Sequence, residues 1–218
     1  MDVQLAQRPR TLALRPRRIW LMLLVAVVAS AVMVAPYALL DVGSSRIAVD
    51  GDLHYALLVA HIFTATVALV LGPLQFVPAI RARRRVHRRI GRAYLLLGVV
   101  PSALAAVPVA WLSGRLVTQV GLVVPAAGWL LTAWLAVLAI RRGDVAAHRA
   151  WMMRNYALTF LAVTARIVVP LVLLTVLATG AVARADAAAV AASLIPIGQV
   201  LGWTINLAVA EVLIRRRR

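Results

Sequence analysis

The chain contains no cysteine and no lysine, and only seven of its 218 residues are Asp or Glu. Without cysteine, disulfides, thiolate metal sites, iron–sulfur clusters and cysteine nucleophiles are excluded, so any metal must use histidine, carboxylate or backbone ligands. Charged residues make up 14% of the chain, whereas 63% are hydrophobic and the mean hydropathy is +0.92. These values are typical of an integral membrane protein rather than a soluble domain.

Six apolar runs are long enough to cross a hydrocarbon core of about 30 Å as helices. They are Ile19 to Leu40, Leu53 to Ile80, Ile90 to Leu112, Leu116 to Ile140, His148 to Thr179 and Ala187 to Ile214. We therefore predict an all-α fold, a six-span transmembrane helical bundle at residues 19–214. Residues 1–18 form an arginine-rich tail and residues 215–218 a basic tail.

Arginine positions predict the orientation of the bundle. Arginines crowd the N-terminal tail, residues 81–92, residues 141–149 and the C-terminus, while the other side has only Arg46, Arg115 and Arg184. Because arginine-rich loops stay in the cytoplasm, both termini are expected to be cytoplasmic, in a bacterial inner membrane. The net charge of +17 is then explained by topology and by contact with anionic lipid headgroups, and no nucleic-acid partner is expected.

The two main arginine-rich connections resemble each other, which predicts an internal repeat. Ala79-Ile80-Arg81 precedes His87-Arg88, and Ala139-Ile140-Arg141 precedes His148-Arg149, at an offset of 60 to 61 residues. If spans 2 and 3 form one hairpin and spans 4 and 5 another, the halves form a parallel repeat. Helical spacing then gives these spans a narrow seam of small and polar residues that includes Gln75, Tyr94 and Asn155, with Asn206 added by span 6. The alternative interpretation of this seam is close helix packing.

His87 and His148 are the candidate ligands of a cofactor. Two imidazoles on neighbouring helices can bind a b-type haem iron axially, with Arg92 and Arg149 available to neutralise the propionates. The alternative is that each histidine touches headgroup phosphates at the interface. No Ser-His-Asp grouping, paired carboxylates or phosphate loop is present, so no catalytic residues are assigned and a binding or electron-transfer protein is expected rather than a hydrolase or transferase.

Two further polar groupings fall within the predicted spans. His61 and Arg166 lie at the opposite depth from His87 and His148, and His54 precedes His61 on the same helix. Together they could form an anion, quinone or proton-relay site. The alternative is a structural hydrogen bond. Arg154 and Glu211 both lie near the cytoplasmic edge and are expected to form a buried ion pair.

Several motifs together resemble a bacterial membrane family called domain of unknown function 2306. They are HIF at His61, GPLQF from Gly72, HRRIGRAY from His87, and RRGDVAAHRAWMMRNYALTFLAVTARIVVP from Arg141, with Asn206 and Glu211 later. The resemblance covers roughly Tyr55 to Leu213 and implies a multi-span inner-membrane protein. It also implies that family motif positions correspond to His61, His87, Arg92, His148, Trp151, Arg154 and Arg166. Ala165 stands where the family pattern has leucine.

Three functions fit these residues. The first is haem b binding and membrane electron transfer through His87 and His148, with a quinone or another redox partner. The second is transport or binding of an anion, quinone or lipid at His61 and Arg166. The third is a scaffold without chemistry, in which the polar seam only specifies packing.

Overall fold

Helices account for nearly all of the residues that the computed structural model describes, which are 16–45 and 49–216, and no strand occurs among them. The α-helices are α1 (Pro16–Val34), α2 (Gly51–Leu74), α3 (Pro78–Ala82), α4 (Arg84–Ala93), α5 (Val100–Leu112), α6 (Leu116–Arg141), α7 (Val145–Thr159), α8 (Leu161–Ala178) and α9 (Ala187–Arg215). A π-helical segment, Tyr94–Val99, joins α4 to α5, and 3-10 turns cover Ala35–Tyr37, Val42–Ser44 and Arg184–Asp186. Most of the predicted N-terminal tail, Arg46 and the last two arginines lie outside the described residues.

Six helical segments are long and apolar enough to cross a membrane: 17–37, 51–74, 84–112, 116–141, 161–178 and 184–215. The predicted all-α fold and six-span bundle are therefore confirmed. Large apolar side chains such as Leu96, Trp111 and Leu174 are exposed on the outside of the bundle. A water-soluble protein rarely exposes so much apolar surface, whereas a membrane protein turns it toward lipid.

The predicted end of the second span was wrong by six residues, because α2 ends at Leu74 and not at Ile80. Pro73 lies in the last turn of α2, and Pro78 begins the short helix α3. Proline restricts the residue before it and cannot donate a backbone hydrogen bond, so two prolines five residues apart favour a turn over a continuous helix. The chain changes direction between them, at residues 75–77.

Two of the spans have irregular helices. In the third span, the N–H of Val100 bonds to Leu95 O, five residues back, which is the π-helical pattern. Pro101 follows and has no N–H to donate to Leu97 O, as a regular α-helix would require. The preceding turn therefore adopts i to i−5 hydrogen bonds in place of i to i−4. In the fifth span, the α-helix is interrupted at Phe160, directly after Thr159. The hydroxyl of Thr159 donates to Asn155 O, a bond that commonly bends helices.

The helices pack mainly as neighbours in sequence: α1 on α2, α2 on α5, α5 on α6, α6 on α7 and α8 on α9, with α7 also contacting α9. The largest core cluster brings together small and aromatic residues, among them Ala68, Tyr94, Ala103, Trp129 and Tyr156. Small residues allow the close helix approach on which membrane bundles depend. The parallel internal repeat of spans 2–3 and 4–5 stays a prediction.

Candidate functional site

The centre of the bundle holds a buried network of polar side chains from three elements. Tyr94 OH donates to Asn155 Oδ1 over 2.6 Å and lies 2.8 Å from Thr159 Oγ1. Trp129 Nε1 donates to the same Thr159 oxygen over 3.0 Å. The π-helical segment thereby supplies Tyr94, α6 supplies Trp129, and α7 supplies the other two.

Asn155 is the most connected member of this network. It is fully buried, and its amide nitrogen donates to Trp129 O over 2.7 Å and to Thr132 Oγ1 over 2.8 Å. Its oxygen accepts from Tyr94, so both ends of the amide are bonded. A polar group that is fully bonded in an apolar interior specifies one packing arrangement. The predicted seam residues Tyr94 and Asn155 therefore fix α7 against α6 and the third span.

The other two predicted seam residues lie elsewhere. Asn206 on α9 donates to Ala157 O over 3.0 Å and accepts from Thr164 Oγ1 over 2.8 Å, which connects α9 to α7 and α8. Gln75 follows α2 and is buried, with no partner for its amide nitrogen among the described residues. The seam therefore divides into separate contacts between different pairs of helices.

His148 lies in the first turns of α7, with Nδ1 2.9 Å from Ala136 O on α6. A carbonyl oxygen can only accept, so Nδ1 carries a hydrogen and donates it to Ala136 O. Histidines that bind metals are commonly oriented by such a bond from the other ring nitrogen to a backbone carbonyl. The bond to Ala136 O therefore fixes the orientation of the His148 ring.

His87 on α4 has His148 and Arg81 as its electrostatic neighbours. Its Nδ1 is buried and has no hydrogen-bond partner within residues 16–45 and 49–216. A buried polar atom without a partner is uncommon and points to a strained site or to an absent ligand. The charge of His148 acts on His87, and a site shared by the two imidazoles stays a prediction.

Gly91 lies one turn after His87 on the same face of α4, and it has no side chain to fill the space there. A Cβ at Gly91 would lie 3.3 Å from Gln75 Oε1. The Gln75 amide therefore lies against the same face of α4 as His87. Arg92 and Arg149, the predicted partners of the propionates, are both exposed.

The hydrogen bonds described for His61, His54 and Arg166 lead to different partners. His61 Nδ1 lies 2.9 Å from Ser102 O and 3.0 Å from Ser102 Oγ, on α5. His54 Nδ1 accepts from Asp50 N over 3.0 Å at the start of α2. Arg166 is exposed on α8, and its Nη1 donates to Ala162 O on its own helix over 2.8 Å. These bonds connect the three residues to three different parts of the bundle.

Arg154 and Glu211 lie together, as a 2.5 Å contact between Nε and Oε1 that joins α7 to α9. The guanidinium also stacks over the Trp151 ring, 4.5 Å from its centroid. The side chains are 19% and 37% exposed, so the pair lies at the edge of the core rather than inside it. Trp151 was not assigned to this pair from the sequence, although the spacing of three residues places it beside Arg154 on a helix.

No group of three or more His, Asp or Glu side chains suited to a metal ion occurs in the described parts of the chain. A haem iron differs from a zinc or dimetal centre in needing only two axial ligands from the protein, because the porphyrin supplies the rest. The donor set at His87 and His148 is therefore chemically suited to haem and too small for a protein-only metal centre.

Six apolar helices around a buried polar network define a multi-pass membrane protein. The chain belongs to the family described as predicted membrane protein DUF2306, whose sequence model matches residues 58–214. The resemblance carried by the histidine and arginine motifs is thereby confirmed. No curated protein and no solved structure matches the chain.

Proposed function

We propose that this protein binds haem b and transfers electrons in the membrane, with His87 and His148 as the axial ligands. The observation that carries the proposal is the state of the two imidazoles. They are electrostatic neighbours, His148 is oriented through Nδ1 by a backbone carbonyl, and His87 has a buried ring nitrogen without a described partner. Two imidazoles from different helices are the donor set that a low-spin b-type haem takes.

The residues around the two histidines suit the same role. Arg149 follows His148 directly, so it offers a cation to a carboxylate beside that imidazole. Arg92, five residues after His87, is exposed on another face of α4. When bound, haem would supply a one-electron redox couple. The protein would orient the His148 ring through Ala136 O and balance the propionate charge. The expected partners are a quinone or another redox protein.

The arginine-rich end of the bundle is expected to face the cytoplasm. It contains residues 81–92 and 141–149 together with Arg215 and Arg216, and positive loops are retained on the cytoplasmic side. With six spans, both termini would then be cytoplasmic, in a bacterial inner membrane. The proposed haem would lie in the cytoplasmic half of the bundle.

A scaffold without chemistry is the second candidate, favoured by the bonded network of Tyr94, Asn155 and Thr159. A transport function at His61 and Arg166 has less support, since the hydrogen bonds described for them lead to different helices. An apolar cleft beside Tyr156 and Asn206 encloses about 170 Å³. Sites for small molecules and cofactors typically enclose about 300–1,000 Å³, so this cleft is small for a quinone ring with its tail.

Absorption spectroscopy of protein purified from haem-supplied cells tests the proposal. We expect a Soret band, with stoichiometric haem, that is lost in His87→Ala and in His148→Ala. His54→Ala and His61→Ala are matched controls, because they remove an imidazole elsewhere in the bundle and should retain the band. Thermal unfolding of each variant separates loss of haem from loss of fold. A colourless wild-type protein, or a band that survives in both ligand variants, would overturn the proposal.

A further inference from the structure

Helix α4 presents four arginines on one face. Arg85, Arg88, Arg89 and Arg92 follow the spacing that places residues on the same side of a helix. All four are exposed, and together they line a cleft of about 250 Å³. At 1.5 Å per residue, the row is about 10 Å long. We call these four residues the α4 arginine row.

The charge of the α4 arginine row is not balanced by the described part of the protein. None of the four guanidiniums forms a hydrogen bond or an ion pair with residues 16–45 or 49–216. The Asp144 carboxylate instead caps α7, where it accepts from Ala147 N over 2.8 Å. Four guanidiniums that repel one another along two helical turns create a strong local attraction for an anion.

The surface that continues from the row indicates what kind of anion this is. Leu96 lies one turn beyond Arg92 and is 64% exposed, and the adjacent Leu97 is 61% exposed. Both belong to the apolar segment 84–112 that is able to cross a membrane. The row therefore lies where an exposed cationic face meets an exposed apolar face on one helix. An amphiphile with an anionic head and apolar chains matches both faces, whereas a soluble anion uses only one.

We propose that the α4 arginine row is a binding site for an anionic phospholipid that carries two phosphates. Guanidinium groups bind phosphate oxygens in pairs through their planar N–H donors, so four of them along about 10 Å can bind two phosphates. The acyl chains of the lipid lie along Leu96. The site shares Arg92 with the residues assigned to haem but involves neither His87 nor His148, and the tested substitutions leave Arg92 in place.

Lipid binding to full-length protein in detergent, measured by native mass spectrometry, tests this site. The probes are cardiolipin, phosphatidylglycerol and inorganic pyrophosphate. The variant Arg88→Gln/Arg89→Gln removes two charges from the row, and the control Arg141→Gln/Arg142→Gln removes two from the same end of the bundle. Thermal unfolding of each protein reports whether the fold is kept.

We expect cardiolipin to bind more tightly than phosphatidylglycerol. We expect the Arg88/Arg89 variant to lose cardiolipin affinity by about thirtyfold, as two guanidiniums at a lipid surface contribute. The Arg141/Arg142 control should lose less than about threefold, because these two arginines do not line the cleft. Equal losses in the two variants would show diffuse attraction and overturn the proposal. So would equal affinity for the two lipids, or displacement of cardiolipin by an equal concentration of pyrophosphate.

Discussion

Tyr94 and Asn155 lie 61 residues apart in the chain and are joined by a hydrogen bond of 2.6 Å, with both side chains fully buried. The same spacing separates His87 from His148, which are electrostatic neighbours. Each pair has one residue on the third span and one on α7, and the bonded pair lies about two turns deeper than the histidines. The bonded pair therefore holds the two helices that carry the proposed haem ligands at a fixed separation.

Tyr94→Phe should lower the free energy of unfolding by about 1–2 kcal/mol, because Asn155 Oδ1 loses its donor in an apolar interior. In a cycle with Asn155→Leu, the two changes should be non-additive by about 0.5–3 kcal/mol, since they remove one shared bond. Denaturation in mixed micelles measures both values.

Tyr55→Phe is the control for Tyr94→Phe. Its hydroxyl donates to Asp41 O over 3.0 Å at the edge of the bundle, where water can replace it. We therefore expect Tyr55→Phe to lower the free energy of unfolding by less than Tyr94→Phe does. If the two tyrosine variants are equally stable, the central network does not have the role assigned to it.

The span count, the helical class and the end at which His87 and His148 lie could be predicted from the sequence, because apolar runs and arginine clusters are long-range patterns. The partners of His61 and His148 could not. His61 bonds to Ser102, and His148 bonds to the carbonyl of Ala136. Nothing in the sequence marks Ser102 or Ala136 as a partner of a histidine. A backbone carbonyl is present at every residue, so only the packing of α6 against α7 selects one.

The irregular turns of the helices could not be predicted from residue spacing either. On a regular helix, the spacing of His87, Gly91, Tyr94 and Gly98 places them on one face. In the structure, however, a π-helical segment begins at Tyr94. An i to i−5 hydrogen bond inserts an extra residue into a turn and rotates everything that follows. Proline at 101 is a signal for this change, but many membrane helices accommodate proline without a π-helical turn.

Gly98→Ala should destabilise the bundle by about 1–3 kcal/mol, a typical result of overpacking. A Cβ at Gly98 would lie 2.8 Å from both the backbone nitrogen and the Cβ of Ala68, so α2 and the third span would have to move apart. Thermal unfolding in detergent measures the loss.

Gly128→Ala is the matched control for the overpacking prediction. The new methyl group would lie 3.4 Å from Leu158 Cδ1, an ordinary contact with the end of a flexible side chain. Since alanine favours helix over glycine by up to about 1 kcal/mol, this variant should be neutral or more stable. A neutral result at Gly98 as well would mean that the two helices are not closely packed there.

Single substitutions of Arg154 or Glu211 by alanine should each weaken the contact between α7 and α9. Because both side chains are partly exposed, a double-mutant cycle is expected to give a coupling energy of about 0.5–1 kcal/mol. Arg154→Lys should not restore full stability, since lysine lacks the planar group that stacks on Trp151. A coupling energy of zero would leave the stacking on Trp151 as the main contribution of Arg154.

The absence of cysteine makes the membrane orientation directly measurable, because each introduced cysteine is the single thiol of the chain. Ser113→Cys and Thr179→Cys lie after α5 and α8, and Val145→Cys lies at the start of α7, at the arginine-rich end. In intact cells, a membrane-impermeant maleimide should label Ser113→Cys and Thr179→Cys. It should reach Val145→Cys only after permeabilisation, because the arginine-rich end is expected to be cytoplasmic. The reverse labelling pattern would place the arginine-rich end, the proposed haem and the α4 arginine row on the outer side of the membrane. The lipid at the α4 arginine row would then come from the outer leaflet.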